Sequence, residues 1–92
     1  MKHAGESALE GIEPLLLQLR AAEGIVERSR GVFYRRSRAF LHFHEDPTGL
    51  YADLRADPDG DFDRFRVNTA AEQASLLREV RRIVGVHRRV TG

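Results

Sequence analysis

The chain has 92 residues, of which 41% are hydrophobic and 32% charged, and its net charge is +1. These values are typical of one small globular domain and argue against a general polyanion binder, which usually carries a large positive excess. No apolar run reaches the roughly 20 residues of a membrane-spanning helix, and the lack of cysteine excludes disulfides and cysteine metal sites.

The N-terminal residues MKHAGESALEGI contain no apolar signal core, so we expect no secretion signal and a cytoplasmic location. Among the 15 basic residues only Lys2 is a lysine. Arginine is the better partner for phosphate, carboxylate and aromatic faces. A GC-rich genome, which encodes much arginine, alanine, glycine and aspartate, is the simpler explanation of this bias.

An N-terminal helix is indicated by apolar residues that recur at intervals of three and four. Ser7 and Glu10 have the spacing of a capping box. Pro14 interrupts the pattern, and proline is tolerated best in the first turn of a helix. We therefore predict a helix over Pro14–Glu23 and leave open whether residues 1–12 are ordered.

Strands are indicated next by short β-rich or alternating segments that turn residues separate. Asp46-Pro47-Thr48-Gly49 and the loop 56–61, with its Asp-Pro-Asp-Gly order, have the composition of tight turns. The predicted strands are Val32–Arg35, Ala39–Glu45, Leu50–Arg55 and Phe62–Val67, and Ile25–Ser29 is a further short candidate.

A C-terminal helix is indicated by a second capping-box pattern, Thr69 to Glu72, and by an apolar stripe that runs to Gly85. Residues 86–92 are predicted to form a loose tail. The order of elements predicts a single α+β domain over residues 1–92. We expect a two-layer sandwich in which an antiparallel meander of three to four strands packs the N-terminal and C-terminal helices on one face.

The two turns predict one register for the sheet, because a slip of one residue would place the histidines in the core. One face is predicted to hold Leu41, Phe43, Leu50, Ala52, Leu54, Phe65 and Val67. The opposite face is predicted to hold Phe40, His42, His44, Tyr51, Asp53, Arg55, Phe62, Arg64 and Arg66. For the first strand two facings stay open, with either Val32 and Tyr34 or Phe33 pointing inward.

Three residues of the polar face are candidate metal ligands: His42, His44 and Asp53. The two histidines project to the same side, and zinc, nickel and copper accept imidazole ligands. Asp53 would be a third ligand or would orient an imidazole as its outer partner. Ordinary cross-strand pairs are the alternative. An Asp–His pair can also orient a general base, but no activated nucleophile is evident, which favours a protein that is not an enzyme.

The polar face is also more apolar than a solvated face requires, and such patches tend to mark interaction sites. The leading hypothesis is a small module that binds a protein partner or a second copy of itself. Its predicted interaction face comprises Phe40, His42, His44, Tyr51, Asp53, Phe62, Arg64 and Arg66. The alternative is a protein that binds zinc, another divalent transition metal or a small ligand through His42, His44 and Asp53; otherwise no cofactor is predicted.

Two further patterns have simpler interpretations. The four aspartates around Gly60 resemble a calcium loop, but the glycine comes one residue early, so we predict an acidic hairpin turn. Arginines at positions 28, 30, 35, 36 and 38 interleave with Phe33 and Tyr34, as in surfaces that stack single-stranded bases. Solvated charge is the favoured explanation, and weak nucleic-acid binding is the third functional hypothesis.

The segment Phe33–Asp46, which ends in His42-Phe43-His44-Glu45-Asp46, resembles small bacterial domains labelled luciferase-like. Those domains carry a His-x-His and an acidic residue on a hairpin. Here Arg38-Ala39 stands where an acidic residue is expected, so no activity is carried over. As a whole the chain resembles small uncharacterised proteins of high-GC, actinobacterial-type bacteria, and that resemblance implies no function.

Overall fold

The computed structural model describes residues 2–85. Three helices and six strands lie in this range, and no helix in it is long and apolar enough to cross a membrane. The elements are β1 (Lys2–His3), α1 (Glu6–Glu10), α2 (Glu13–Arg20), β2 (Val26–Ser29), β3 (Val32–Arg35), β4 (Arg38–Asp46), β5 (Gly49–Leu54), β6 (Asp63–Arg66) and α3 (Ala70–Gly85).

The predicted α+β class with an antiparallel sheet is confirmed, but the sheet has six strands instead of three to four. Its main path is β2-β3-β4-β5-β6, and β1 pairs with β4. β2, Val26–Ser29, lies within the short candidate strand Ile25–Ser29 and begins one residue later. β1 is a pair of residues, Lys2 and His3, which is too short to produce a recognisable alternation.

The long strand β4 organises the sheet. It pairs with β5 along one edge, and on the other edge with β3 through its first half and with β1 near its end. The amide of Ala4 donates to the carbonyl of Phe43, and the amide of Gly5 donates to Oε2 of Glu45. These bonds hold the N-terminal segment against β4, so the residues before Pro14 form a strand and a short helix.

The bounds of the first helices differ from the prediction. Ser7 and Glu10, predicted to form a capping box, both lie inside α1, whose N-cap is Gly5 without a side-chain cap. α2 begins one residue before Pro14, as the tolerance of proline in a first turn suggests, but it ends at Arg20. The residues that follow, up to Glu23, form turns.

The predicted capping box of the last helix is confirmed. The amide of Glu72 donates to Oγ1 of Thr69 at 3.1 Å, and the amide of Thr69 donates to Oε1 of Glu72 at 3.1 Å. Oε1 of Glu72 also accepts the amide of Asn68. Three of the amides around the helix start therefore have side-chain partners. The predicted tail 86–92 lies outside the described residues.

The predicted register of β4, β5 and β6 is confirmed. His42 faces Asp53 and His44 faces Tyr51 across the first hairpin, and Asp53 faces Arg64 across the second. On the other side of the sheet, apolar residues of the strands share one core with those of all three helices. The most completely buried large side chains are Phe33, Phe43, Leu15, Leu16, Leu19, Leu41, Leu54, Leu76, Val67 and Val80.

The facing of the first strand is settled in favour of Phe33, which is fully buried, whereas Val32 and Tyr34 are half-buried. The β3–β4 pairing shifts beside it: Phe33 faces Leu41, but Tyr34 faces Ala39. Phe40 is therefore left without a partner on β3, as an extra residue in a bulge is. A bulge re-aims the side chains around it, so the alternation assumed for β4 does not hold there.

Phe40 is consequently not part of an exposed face, contrary to its predicted place in the interaction surface. It is 2% exposed and belongs to the core cluster. The guanidinium of Arg35 lies over its ring, with Cζ 5.8 Å from the ring centroid. A partner on the surface of the folded protein thus has no access to most of this side chain.

Candidate functional site

The three candidate metal ligands lie together on the face of the sheet opposite the core. His42, His44 and Asp53 each offer one ligand atom, and these atoms lie within 4.8 Å of one another. Strand alternation places both histidines on the same side of β4. The turn at 46–49 then brings β5, and with it Asp53, alongside them.

Asp53 is the most buried member of this cluster, with 7% of the residue exposed. Its Oδ2 lies 3.1 Å from Nε2 of His44, although the residue directly opposite in the ladder is His42. Arg64 donates to both carboxylate oxygens, from Nε to Oδ1 and from Nη2 to Oδ2, each at 2.9 Å. This bidentate bond to Arg64 lowers the pKa of Asp53 and keeps its carboxylate ionised.

His44 has one nitrogen bound and one buried without a partner. In the neutral tautomer whose Nε2–H donates a hydrogen bond to Asp53, Nδ1 carries a lone pair. Nδ1 is buried and has no hydrogen-bond partner within residues 2–85. A buried lone pair without a donor is an acceptor left unsatisfied, and a metal ion is one species that would satisfy it.

His42 packs between two rings. Its ring centroid lies 4.7 Å from that of His44 and 4.8 Å from that of Phe62. The Arg55 guanidinium lies over the Phe62 ring, with Cζ 4.6 Å from the ring centroid. Burial lowers the pKa of His42, and the neighbouring His44 lowers it further. Its imidazole is therefore neutral at pH 7, which is the form that binds metals.

A third histidine lies beside the cluster. The β1–β4 pairing places His3 opposite His44, with ring centroids 6.3 Å apart in an edge-to-face arrangement. Sequence reasoning missed His3, because its position depends on a strand of two residues. His3 is exposed, and the residues whose ligand atoms converge are His42, His44 and Asp53 without it.

Tyr51 and Arg66, both predicted to lie on this face, belong to a second hydrogen-bonding group. The Tyr51 hydroxyl lies 2.7 Å from Oγ1 of Thr48 and accepts from Nη1 of Arg66 at 3.1 Å. Oγ1 of Thr48 also donates to Oδ2 of Asp46. The Thr48 hydroxyl is thus held in the turn by Asp46 and Tyr51.

The acidic segment around Gly60 forms a turn. Oδ1 of Asp57 accepts the amide of Asp59 at 3.0 Å, and the carbonyl of Asp57 accepts the amide of Gly60. Within residues 2–85, His42, His44 and Asp53 form the one group of three or more His, Cys, Asp or Glu side chains positioned to share a metal ion.

Comparison with known proteins adds no identification: no protein-family model, no curated protein and no solved structure matches the chain. The function of the site therefore has to be argued from its residues and their geometry.

Proposed function

We propose that the protein binds a divalent transition metal ion, of which zinc fits best, through His42, His44 and Asp53. The observation that carries the proposal is the convergence of two imidazoles and one carboxylate, whose ligand atoms lie within 4.8 Å of one another. Two histidines and a carboxylate are a common ligand set of zinc sites that keep a fourth position open. Calcium and magnesium prefer oxygen ligands, so two imidazoles with only one carboxylate make them poorer candidates than zinc for this site.

Only small movements are needed to close the site around an ion. Tetrahedral zinc with bonds of about 2.0–2.1 Å requires donor atoms about 3.3 Å apart. The widest donor separation in the cluster is 4.8 Å, so this pair must approach by roughly 1.5 Å. Because the histidine side chains are half-buried rather than enclosed, rotation of the rings can supply that movement.

Asp53 can support an ion in two ways. In the first, Oδ2 leaves His44 and binds the metal while Oδ1 keeps its bond to Arg64. In the second, Asp53 keeps Nε2 of His44 and acts as an outer partner, and the metal binds the unpartnered Nδ1.

The experiment that tests the proposal is a calorimetric titration of the full chain, stripped with EDTA, with Zn²⁺ and Co²⁺. We expect one equivalent to bind, and each of His42→Gln, His44→Gln and Asp53→Asn to weaken binding at least tenfold. Asp59→Asn is the matched control, because it removes an exposed carboxylate from the acidic turn. Equal affinity in all four variants, or binding of several equivalents, would contradict a site at this cluster.

We also propose that the same face binds a cytoplasmic protein partner or a second copy of the chain. It is supported by β6 lying at the end of the strand order and by the half-exposed side chains of Arg64 and Arg66 beside the aromatic residues Tyr51 and Phe62. Burial of Phe40 removes one anchor from this surface. Sedimentation over a concentration range tests the self-association form, and a monomer at all concentrations would count against it.

A further inference from the structure

Strand β6 forms one of the two outer edges of the sheet. It pairs with β5 on one side, and no strand among residues 2–85 lies on its other side. Three of its four residues are exposed and the remaining one, Phe65, is half-buried, so another chain has access to this strand. An edge strand presents a row of backbone N–H and C=O groups to which a further strand can hydrogen-bond.

The pairing with β5 identifies the residues that present these groups. The amide of Val67, which follows β6, donates to the carbonyl of Leu50 at 3.1 Å, so the backbone of Val67 points towards β5. Backbone direction alternates along a strand, and Phe65 therefore also points towards β5. Arg64 and Arg66 have the opposite parity and direct their N–H and C=O groups away from β5. The free edge is thus formed by these two arginines.

The side chains of the same two arginines lie at this edge on the polar face, and each is 50% exposed. Nε and Nη2 of Arg64 bind Asp53, and the contacts of Arg66 use its Nε and Nη1. A guanidinium carries five N–H donors. Within residues 2–85, Nη1 of Arg64 and Nη2 of Arg66 are not used by these contacts, and they remain for a carboxylate beyond the edge of the sheet.

A second copy of β6 is a poor occupant of this edge. In an antiparallel pair, residues whose backbone groups point across the gap face each other. If two copies of β6 were to pair, Arg64 or Arg66 of one copy would therefore face Arg64 or Arg66 of the other. Like charges directly opposite each other destabilise a strand pair, whereas opposite charges stabilise it. The edge therefore favours a strand that places carboxylates at these positions.

We propose that an extended segment of a partner protein adds to this edge, antiparallel to β6, and that it carries two acidic residues separated by one apolar residue. The acidic residues face Arg64 and Arg66 and exchange backbone hydrogen bonds with them. The residue between them lies on the other face, opposite Phe65, which packs against the core. This inference rests on the protein-partner proposal above, for which it specifies the partner, and it does not require a metal ion.

The test is an NMR titration of the ¹⁵N-labelled full chain, in EDTA, with the blocked peptide Thr-Thr-Glu-Val-Glu-Thr-Thr. We expect saturable shifts at Arg64 and Arg66. At saturation their amide protons should exchange with solvent about tenfold more slowly, because they become hydrogen-bonded. The amide of Phe65, which points towards β5, is the internal control, and its exchange should change much less. Because EDTA removes metal ions, the result does not depend on the metal site.

Three variant peptides separate strand addition from simple attraction between charges. N-methylation of both glutamate amides removes the donors that face β6 and should weaken binding about tenfold or more. N-methylation of the valine amide, which faces away from β6, should change the affinity by less than about twofold. The peptide Thr-Thr-Glu-Glu-Val-Thr-Thr has the same composition, but its adjacent glutamates point to opposite faces, so it should bind about fivefold more weakly.

One protein variant with a control locates the site. Arg66→Gln should weaken binding of the first peptide about threefold, since it removes one exposed charge pair. Arg28→Gln, which removes an exposed arginine from the opposite edge strand β2, should leave the affinity unchanged. An unchanged thermal midpoint shows that each variant is folded.

Four results would overturn the proposal. The first is the absence of saturable shifts at Arg64 and Arg66. The second is equal binding of the two N-methylated peptides. The third is a set of shifts confined to Tyr51 and Phe62, which would assign the peptide to the sheet face and retain the proposed interaction face without the edge. The fourth is slow exchange of the Arg64 and Arg66 amides that appears without peptide as the protein concentration rises, which would assign the edge to a second copy.

Discussion

Nε2 of His44 lies 3.1 Å from Oδ2 of Asp53, on a diagonal of the β4–β5 ladder. The diagonal contact leaves His42, which directly faces Asp53, free to pack against Phe62. The same carboxylate also binds the guanidinium of Arg64. One buried aspartate is therefore shared by a histidine and an arginine, and the balance between these two partners sets how readily a metal ion can join them.

Arg64 is expected to oppose metal binding, because its charge already neutralises the carboxylate that would attract the ion. In Arg64→Gln we expect Zn²⁺ to bind about three- to tenfold more tightly, as measured by calorimetry at pH 7.5. Arg66→Gln is the control, since Arg66 lies on the same strand but donates to Tyr51. Weaker binding in Arg64→Gln than in Arg66→Gln would show that Arg64 positions Asp53 rather than competing with the ion.

Glu27 is expected to make the stability of the protein depend on pH. The bond from Arg20 lowers its pKa below the ordinary 4.5, and the amide of Gly31 adds a second bond. The unfolded chain therefore binds the proton more readily, so this stabilisation is complete above pH 4.5 and is lost as the pH falls below it.

Urea unfolding between pH 7 and pH 3 measures this effect. Glu27→Gln should be less stable than the parent at pH 7, and the difference should shrink as the pH falls below 4.5. Glu10→Gln, at an exposed position on α1, is the control. A difference between Glu27→Gln and the parent that stays constant across this range would argue against an ionised Glu27 in the folded state.

Gly31 joins β2 to β3 where a side chain would not fit. It has φ +77°, and an added Cβ would lie 2.9 Å from Cδ2 of Leu9, a buried residue of α1. We expect Gly31→Ala to lower the free energy of unfolding by about 1–3 kcal/mol. Gly85→Ala adds the same methyl where nothing lies within 4 Å, and should change stability by less than about 1 kcal/mol or increase it. Equal effects would contradict close packing of α1 on this turn.

The hydroxyl of Thr69 caps the N-terminus of α3. Thr69→Ala removes the acceptor of the Glu72 amide and should cost about 1 kcal/mol in chemical denaturation. Thr69→Ser retains the hydroxyl and should recover most of that loss. If the serine variant were as unstable as the alanine variant, the Cγ2 methyl group of Thr69, and not its hydroxyl cap, would account for the lost stability.

The register of the central hairpins could be predicted because turn chemistry and burial agree. Asp46-Pro47-Thr48-Gly49 indicates a turn, and only one parity keeps His42 and His44 out of the core while burying Leu41 and Phe43. The capping box at Thr69 could be predicted for a similar reason, since it is a local pattern whose bonds form within four residues.

The remaining features depend on contacts that no local pattern records. The place of His3 follows from a two-residue strand, and the burial of Phe40 follows from a bulge next to a turn of two non-glycine residues, Arg36 and Ser37, with positive φ. The contact of Asp53 with His44 rather than His42 depends on side-chain conformation. Alternation along a strand predicts the face of a residue but not the direction of its side chain on that face.

The most direct test of the metal site is an NMR titration of the EDTA-stripped full chain with Zn²⁺ that follows the imidazole groups. We expect the resonances of His42 and His44 to change together and to stop changing at one equivalent, and an Asp53→Asn chain to need a much higher Zn²⁺ concentration. Changes confined to His3, or to His87 beyond the described residues, or changes without saturation at His42 and His44, would contradict a metal site at this cluster.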